Sequence, residues 1–144
     1  MSIADVLHGK GHQVVKVRLT DSVAVAVEKL AAKRIGAVVV EDEWMSPAGI
    51  FSERDLVDAL AALGAKALTM PVEEVMRAPI VACRSSDRVE AAMATMTMAK
   101  IRHLPVVDGG QLVGIVSIGD LVKHRLDEKS LEANVLLDIA RLHA

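Results

Sequence analysis

The sequence predicts an α/β fold, in an α+β arrangement of two strand-helix-strand-strand-helix repeats followed by a C-terminal helix. The main observation is an internal duplication, because GIFSERDLV begins at Gly49 and GIVSIGDLV begins at Gly114. Each copy also has apolar residues at helical spacing, followed by short β-branched runs. One copy of about 60 residues buries too little surface to be stable alone, so we expect the two copies to pack together.

Length and composition favour a single globular unit. The 144 residues are 52% hydrophobic and 25% charged, a balance that supports a buried core and argues against disorder. The net charge is -2, and the chain has one Trp, one Phe and no Tyr. Nucleic acids require a basic surface and aromatic side chains for stacking, so we expect no nucleic-acid partner.

The sequence further predicts a cytoplasmic protein without a membrane segment, disulfide or metal. No uncharged apolar run approaches roughly 20 residues, and MSIADVLHGKGH lacks the basic-then-apolar order of a signal peptide. The single cysteine, Cys83, cannot form an internal disulfide or a cysteine zinc site. His8 and His12 flank a Gly-rich GKG turn without an evident third ligand, and GKG lacks the spacing of a P-loop.

The first half of each repeat is predicted to be a helical turn, a strand and a helix. IADVL from Ile3 resembles VEEVM from Val72, and the apolar strands VVKV and IVAC begin 66 positions apart, at Val14 and Ile80. A buried helix face is predicted by an i, i+4, i+7 stripe in each copy. The stripes are Val23, Val27 and Leu30 in the first copy and Val89, Met93 and Met96 in the second.

The second half of each repeat is predicted to be a hairpin and a helix. IGAVVVED and IRHLPVVD are strand-like, and the turn that follows is one residue longer in the first copy. Ser52 and Ser117 each precede a predicted helix with an acid three positions on, which is a capping signature. Leu56, Leu60 and Leu63 are expected on one face of the first such helix, and Gly64 to end it.

These patterns divide the chain into repeat 1 (3–64), a linker (65–71), repeat 2 (72–127) and a C-terminal helix (128–144). In that last segment, apolar residues at helical spacing predict a face that covers the core or a partner chain. They are Leu131, Val135, Ile139 and Leu142.

The duplicated unit, with IGAVVV and GIFSERD in one copy and IRHLPVVD and GIVSIGD in the other, resembles a tandem CBS (cystathionine beta-synthase) domain pair, or Bateman module. The resemblance covers roughly residues 3–127 and is greatest to small stand-alone bacterial members. It implies a regulatory module with a pseudo-twofold axis, two clefts for adenosine-containing ligands, and a disc-like homodimer. The ligands implied are AMP, ADP, ATP, NAD or S-adenosylmethionine, with no required cofactor and an unknown protein partner.

Within that resemblance, Asp55 and Asp120, with Ser52 and Ser117, take the ribose-binding positions. One carboxylate has two acceptor oxygens and can hold two neighbouring hydroxyls. Phosphates need cations instead. The candidate phosphate-binding residues are Arg102, His103, Arg54 and Lys123.

An adenine ring would need an apolar slot, for which family geometry suggests residues in both copies. The candidates are Val81, Cys83, Pro105 and Ile118 in the second copy and Val15, Val17 and Val39 in the first. All seven are equally ordinary core residues.

Three functions remain open from the sequence. The leading one is a non-catalytic sensor that binds an adenine nucleotide. The alternative is a structural or protein-interaction module with empty, degenerate clefts, which Gly36, Ala37 and Gly119 favour because they replace polar or basic residues of the other copy. An enzyme is the third, but the chain lacks a nucleophile motif and a metal cluster.

Overall fold

The computed structural model describes residues 1–142 and confirms the mixed α/β fold. Its helices and strands, in chain order, are α1 Ile3–Lys10, β1 Lys16–Arg18, α2 Val23–Lys33, β2 Ala37–Glu41, β3 Pro47–Ser52, α3 Glu53–Leu63, α4 Val89–Ala99, β4 His103–Asp108, β5 Gln111–Ser117 and α5 Ile118–Leu142. Two short 3₁₀ helices, Gly64–Thr69 and Val72–Glu74, connect the two halves. The duplicated order is therefore visible from α2 to α3 and again from α4 to α5.

The strands form two small sheets. In the first, β1 pairs parallel with β2, and β2 pairs antiparallel with β3, while β4 and β5 form an antiparallel pair in the second. Val40 pairs with Gly49 and Val106 pairs with Gly114, so the first hairpin is one residue longer, as predicted. Both hairpins change register directly after these pairs, which shows that the two copies share even their β-bulges.

The prediction of a strand at IVAC, residues 80–83, is wrong. In its place the structure has a single parallel bridge, in which Cys83 N–H donates to Pro105 O at 3.0 Å and Val107 N–H donates to Cys83 O at 2.8 Å. The chain just before it is paired elsewhere, because Arg77 exchanges two backbone hydrogen bonds with Ile50 of the first sheet. The segment between Arg77 and Cys83 therefore connects the first sheet to the second and makes no further β-sheet hydrogen bonds with the described residues.

Each repeat begins with a short leading segment, which is α1 in repeat 1 and the segment from Val72 in repeat 2. The two cores exchange these leading segments. α1 packs through Ile3, Val6 and Leu7 into the core of repeat 2, whereas Val72 and the half-buried Met76 pack into the core of repeat 1. In sequence, however, α1 directly precedes the rest of repeat 1, and the segment from Val72 directly precedes the rest of repeat 2. Neither repeat is therefore a complete folding unit, because part of its core comes from across the chain.

Backbone hydrogen bonds fix this exchange symmetrically. Ile3 N–H donates to Asp87 O, and Val72 N–H donates to Asp21 O, both at 2.8 Å. Asp21 and Asp87 are the residues before the N-caps of α2 and α4. The equivalence of IADVL and VEEVM is therefore confirmed, and each segment docks on the helix start of the opposite repeat.

The exchange also explains the glycine that begins each GI(F/V)S motif. A Cβ at Gly114 would lie 2.7 Å from Leu7 Cδ2, and a Cβ at Gly49 would lie 2.7 Å from Met76 Sδ and from Arg77 O. Real Cβ atoms do not approach other heavy atoms so closely. The two glycines therefore make room for Leu7 and Met76, which hold equivalent positions in the two leading segments.

The helix faces agree in part with the predicted stripes. The α2 and α4 stripes are buried, with Val23 and Val89 fully buried, Leu30 6% exposed and Met96 2% exposed. On α3, by contrast, the side chain most buried is Ala59, while Leu60 is 38% exposed. The leucine face of α3 therefore lies at the edge of the core.

The C-terminal segment continues α5 instead of forming a separate helix. The first copy ends its last helix at Gly64, whose φ of 68° suits glycine, whereas Lys129 stands at the equivalent position of the second copy. Its apolar side chains do not cover the core of this chain, because Leu131 is 64% exposed and Leu142 is 82% exposed. The predicted segment ran to residue 144, and residues 143–144 lie outside the described part. No helix within residues 1–142 combines the length and the apolar character needed to cross a membrane.

Candidate ligand site at two strand-to-helix corners

Both predicted aspartates cap a helix. Ser52 N–H donates to Asp55 Oδ2 at 2.9 Å and the Ser52 hydroxyl donates to the same oxygen at 3.0 Å, while Asp55 N–H returns a bond to the hydroxyl. At the second corner Ser117 N–H donates to Asp120 Oδ2 at 2.8 Å and Asp120 N–H donates to the Ser117 hydroxyl at 3.1 Å, which repeats the two backbone bonds. The capping interpretation of these residues is confirmed, and in each carboxylate the hydrogen bonds use Oδ2.

The second corner has an additional cation that the first lacks. Lys10, the last residue of α1, donates to Asp120 Oδ2 and to Ile115 O, each at 2.6 Å. The pair is largely shielded from water, because the lysine side chain is 33% exposed and the aspartate side chain is 27% exposed. A charge-assisted hydrogen bond in such a setting is stronger than one between neutral groups.

This environment keeps Asp120 ionised. Partial burial raises the pKa of Asp120, but the hydrogen bonds from Lys10 and Ser117 outweigh burial and hold the pKa below its ordinary value of 3.8. An ionised carboxylate is an acceptor on both oxygens. Oδ1 makes no hydrogen bond within residues 1–142, so it remains available to a hydroxyl donor.

His103 joins this corner and reaches toward the other one. The β4–β5 register places it opposite Ser117, and its Nε2 lies so close to Gly36 that a Cβ there would be 2.9 Å away. Burial, with the charge of Lys10, lowers the pKa of His103, and Glu53 and Asp120 oppose that effect. His103 is therefore a neutral imidazole between the two corners at pH 7.

Within residues 1–142, the remaining predicted cations make no ion pair with either corner aspartate. Arg54 pairs with Asp58 at 3.3 Å along α3, with the arginine side chain 78% exposed. Lys123 is exposed and makes no ion pair in the described chain. Arg102 is also exposed, but its backbone carbonyl accepts a 2.8 Å hydrogen bond from Ile118 N–H, which holds it at the start of α5.

The first corner therefore differs in charge from the second. Glu53 N–H donates to Gly36 O at 3.0 Å, the counterpart of the bond between Ile118 and Arg102. Gly36 and Ala37 hold the positions of Arg102 and His103, and no described cation pairs with Asp55. The backbone of the corner is duplicated, whereas its electrostatic surroundings are not.

The candidate adenine residues divide between the cores and the opposite sheet faces. Val17 and Cys83 lie in the two cores, with Val15, Val81 and Ile118 half-buried against them. Val39 and Pro105 are buried and belong to neither core cluster, so strand alternation puts them on the sheet faces away from the cores. Their role toward adenine stays a prediction.

The Cys83 thiol is unreactive at neutral pH. Burial and the nearby Asp87 carboxylate raise the pKa of its thiol to about 11. The thiolate is the reactive form, so little of it is present at neutral pH. Among residues 1–142 no group of three or more His, Cys, Asp or Glu side chains is arranged to hold a metal ion.

Two cavities are lined by residues other than the corner serines and aspartates. One of about 320 Å³ lies between α4 and α5, and the other of about 280 Å³ lies against β1. The second was missed in the sequence, although three cations line it together with Val17 and Glu41. These cations are Lys16, Arg18 and Lys29. Lys16 pairs with the buried Glu41 at 3.2 Å, which satisfies that carboxylate.

Lys10 is the site residue that sequence reasoning missed. The GKG segment was interpreted only as a turn, and in sequence it precedes repeat 1. The exchanged packing of α1 carries it to the corner of repeat 2. The sequence did contain one signal for Lys10. When the two leading segments are aligned, the position of Lys10 in the first copy is held by Pro79 in the second, so this cation belongs to one copy alone.

The fold and the two corners define a duplicated α/β module with one polar strand-to-helix corner in each repeat. The chain belongs to the CBS domain family, whose model matches residues 3–62 and 72–127. It is 31% identical over 118 residues to the CBS domain-containing protein YhcV of Bacillus subtilis, an alignment that covers 82% of this chain and 83% of that protein.

Solved structures agree with this assignment. The crystal structure of the CBS-domain containing protein ATU1752 from Agrobacterium tumefaciens is 43% identical, with a TM-score of 0.83 over 86% of this chain and 92% of that one. The CBS domain pair of protein MJ0100, solved in complex with 5′-methylthioadenosine and S-adenosyl-L-methionine, has a TM-score of 0.79 at 22% identity, covering 89% of this chain and 98% of that one. At that identity the likeness to MJ0100 shows the fold alone.

Proposed function

We propose that this protein is a non-catalytic sensor that binds an adenosine-containing ligand at the Asp120 corner. The observation that carries the proposal is the ionised Asp120 with Lys10 and His103 beside it. Asp120 Oδ1 accepts from a ribose hydroxyl, while Lys10, Arg102 and His103 supply positive charge or donors for a phosphate. No cofactor is required for this function.

The proposal assigns different ligands to the two corners. An anionic nucleotide such as AMP, ADP, ATP or NAD suits the Asp120 corner, because Lys10 lies beside it. The Asp55 corner has Gly36 and Ala37 in the place of Arg102 and His103, so a phosphate there would meet the Asp55 carboxylate without compensation. We therefore propose that Asp55 takes an uncharged or cationic adenosine derivative, or stays empty.

Ligand entry at the Asp120 corner involves Lys10. Its ammonium holds Asp120 Oδ2 and Ile115 O together, so a phosphate that attracts the lysine competes with this contact. Because Lys10 ends α1, such a move reaches the core of repeat 2 through Leu7. This link gives a route by which ligand binding changes the surface offered to a protein partner.

We propose a homodimer, as the family resemblance implies, because α5 exposes apolar side chains that no described residue of the chain covers. The regulated protein partner stays unknown.

The test is a thermal-shift panel of AMP, ADP, ATP, NAD and S-adenosylmethionine on the wild type and on three aspartate variants. A ligand that binds only the folded state adds about 2.7 kcal/mol at a hundredfold excess over its Kd. Asp120→Ala should abolish the nucleotide shift and Asp55→Ala should keep it. Asp5→Ala is the matched control, because Asp5 caps α1 in the same Ser-Asp geometry without belonging to either corner.

A second function is favoured by a specific observation. Both corner aspartates are already used as helix caps, which is what an interaction module with degenerate clefts would retain. If no compound of the panel shifts the wild type at millimolar concentration, the sensor is wrong and the interaction module replaces it. Persistence of the shift in Asp120→Ala would move the ligand away from this corner.

A further inference from the structure

The last thirteen described residues, Ser130–Leu142, form the free end of α5. This segment, the α5 tail, is about 20 Å long at the helical rise of roughly 1.5 Å per residue. Every one of its residues is exposed. The exposed fraction is 64% for Leu131, 67% for Leu136 and 46% for Ile139, although side chains of this kind are normally buried.

The apolar surface of the α5 tail is unusually wide. At about 3.6 residues per turn, Leu131 and Val135 lie on one side, Leu136 and Leu137 lie on nearly the opposite side, and Ile139 lies between them. The apolar arc covers roughly two thirds of the circumference. A single helix packed alongside would bury only part of that arc, whereas a groove between two helices would bury most of it.

Such a groove exists on the same chain. The cavity between α4 and α5, the α4/α5 groove, has a volume of about 320 Å³. Its lining consists of Met93, Val122 and Leu126, with Glu90, Arg125 and Lys129 at the rim. Val122 is 41% exposed and Leu126 is 61% exposed, so the groove floor is also an uncovered apolar surface.

The α5 tail cannot fill the groove of its own chain. One wall of the groove is α5 itself, and the helix continues without interruption from Ile118 to Leu142. The tail therefore runs away from the groove along the same axis. Only another molecule can bring a tail into this groove.

We propose that the α5 tail of one copy of this chain lies in the α4/α5 groove of a second copy, with the two α5 helices antiparallel. The exchange is isologous, because each copy offers one tail and one groove. Charge agrees with it. Glu132 is the one charge inside the apolar arc and Lys129 stands at the groove rim, and neither makes an ion pair in the described chain.

This inference gives a structure to the proposed homodimer and depends on its existence. The test uses three full-length variants studied by sedimentation equilibrium. The tail variant carries Leu136→Glu and Ile139→Glu, and the groove variant carries Leu126→Glu. Trp44→Glu is the control, because Trp44 is a 79% exposed apolar side chain far from α5 in sequence, in the first hairpin.

The tail and groove variants should each dimerise at least about thirtyfold more weakly than the wild type, because a buried carboxylate without a partner costs about 2 kcal/mol or more. Trp44→Glu should dimerise normally. Mixing the tail variant with the groove variant should give a heterodimer that is stronger than either variant alone but weaker than the wild type. One of its two contacts joins an intact tail to an intact groove, while the other contact carries both sets of substitutions. Circular dichroism should show equal helix content in all samples, because every substituted side chain is exposed.

Three results would overturn the inference. Wild-type dimerisation by both variants would place the interface elsewhere and leave the proposed homodimer intact. Monomeric variants that fail to complement each other would show that tails pair with tails in a parallel arrangement. A monomeric wild type would remove both the exchange and the homodimer, while the nucleotide titration would still decide the sensor function.

Discussion

Lys10 Nζ lies 2.6 Å from Oδ2 of Asp120, although the two residues are 110 positions apart in the chain. The contact exists because α1 leaves its own repeat and packs into the core of the other. It joins the first helix of the chain to the start of the last. The proposed ligand site is therefore completed by a residue from outside the repeat that contains it.

Replacing that lysine should weaken the binding of phosphorylated ligands. Lys10→Met removes a cation beside the proposed phosphate, so we expect the affinity for AMP to fall roughly tenfold and that for adenosine to change less. The pKa of Asp120 should rise, because the largest opposing hydrogen bond is lost. Calorimetry and carboxyl NMR measure these two effects.

Lys123→Met is the control for this prediction, because Lys123 is an exposed lysine on α5 without an ion pair in the described chain. An equal loss for AMP and adenosine would contradict a phosphate role for Lys10 and indicate a structural one.

The two motif glycines should tolerate a methyl group to different degrees. Gly49→Ala places Cβ 2.7 Å from the Arg77 backbone oxygen, whereas Gly114→Ala meets only the end of the Leu7 side chain. We expect about 2–3 kcal/mol of destabilisation at Gly49 and about 1 kcal/mol at Gly114. Gly9→Ala is the control in urea unfolding, because its Cβ meets nothing within 4 Å and α1 favours alanine.

Leu7 and Gly114 should be coupled energetically. Leu7→Ala removes a fully buried side chain and should cost about 2–4 kcal/mol on its own. The same truncation removes the atoms that a Cβ at position 114 would strike. The Leu7→Ala, Gly114→Ala double variant should therefore be less destabilised than the sum of its parts, by about 0.5 kcal/mol or more. Strict additivity in a double-mutant cycle would argue against the contact.

His103 should make stability depend on pH. Its folded pKa lies below the ordinary 6.5, so around that value the unfolded chain binds more protons than the folded chain. Its contribution is complete above pH 6.5 and is lost as the pH falls through the folded pKa. Urea titrations from pH 8 to 5 should show this slope in the wild type, and His103→Gln should reduce it. An unchanged slope would mean that other groups produce it.

The same histidine should report on the ligand. A phosphate beside His103 raises its pKa, so the wild type should take up more protons on binding AMP than His103→Gln does. Calorimetry in buffers of different ionisation enthalpy measures the uptake. Equal proton uptake by the wild type and His103→Gln would place the phosphate away from His103, because the phosphate's own titration contributes equally to both.

The sequence by itself determined the duplicated order of elements, the buried stripes of α2 and α4, the hairpin lengths and the Ser-Asp caps. These features depend on residues close together in the chain, where periodicity and capping chemistry act directly. It also placed Asp120 and His103 in the same repeat, where the structure pairs His103 with Ser117, three residues before Asp120.

Only the tertiary structure decided which partners each repeat receives. Three features depend on contacts between distant parts of the chain. Cys83 alone pairs with β4 where a strand was predicted, α1 and the segment at Val72 exchange cores, and Lys10 contacts Asp120. Local patterns cannot distinguish packing on one repeat from packing on its near copy, because both offer the same apolar surface. Gly49 and Gly114 leave equivalent room in both repeats, for Met76 and Leu7, so the choice depends on the path of the chain between the repeats.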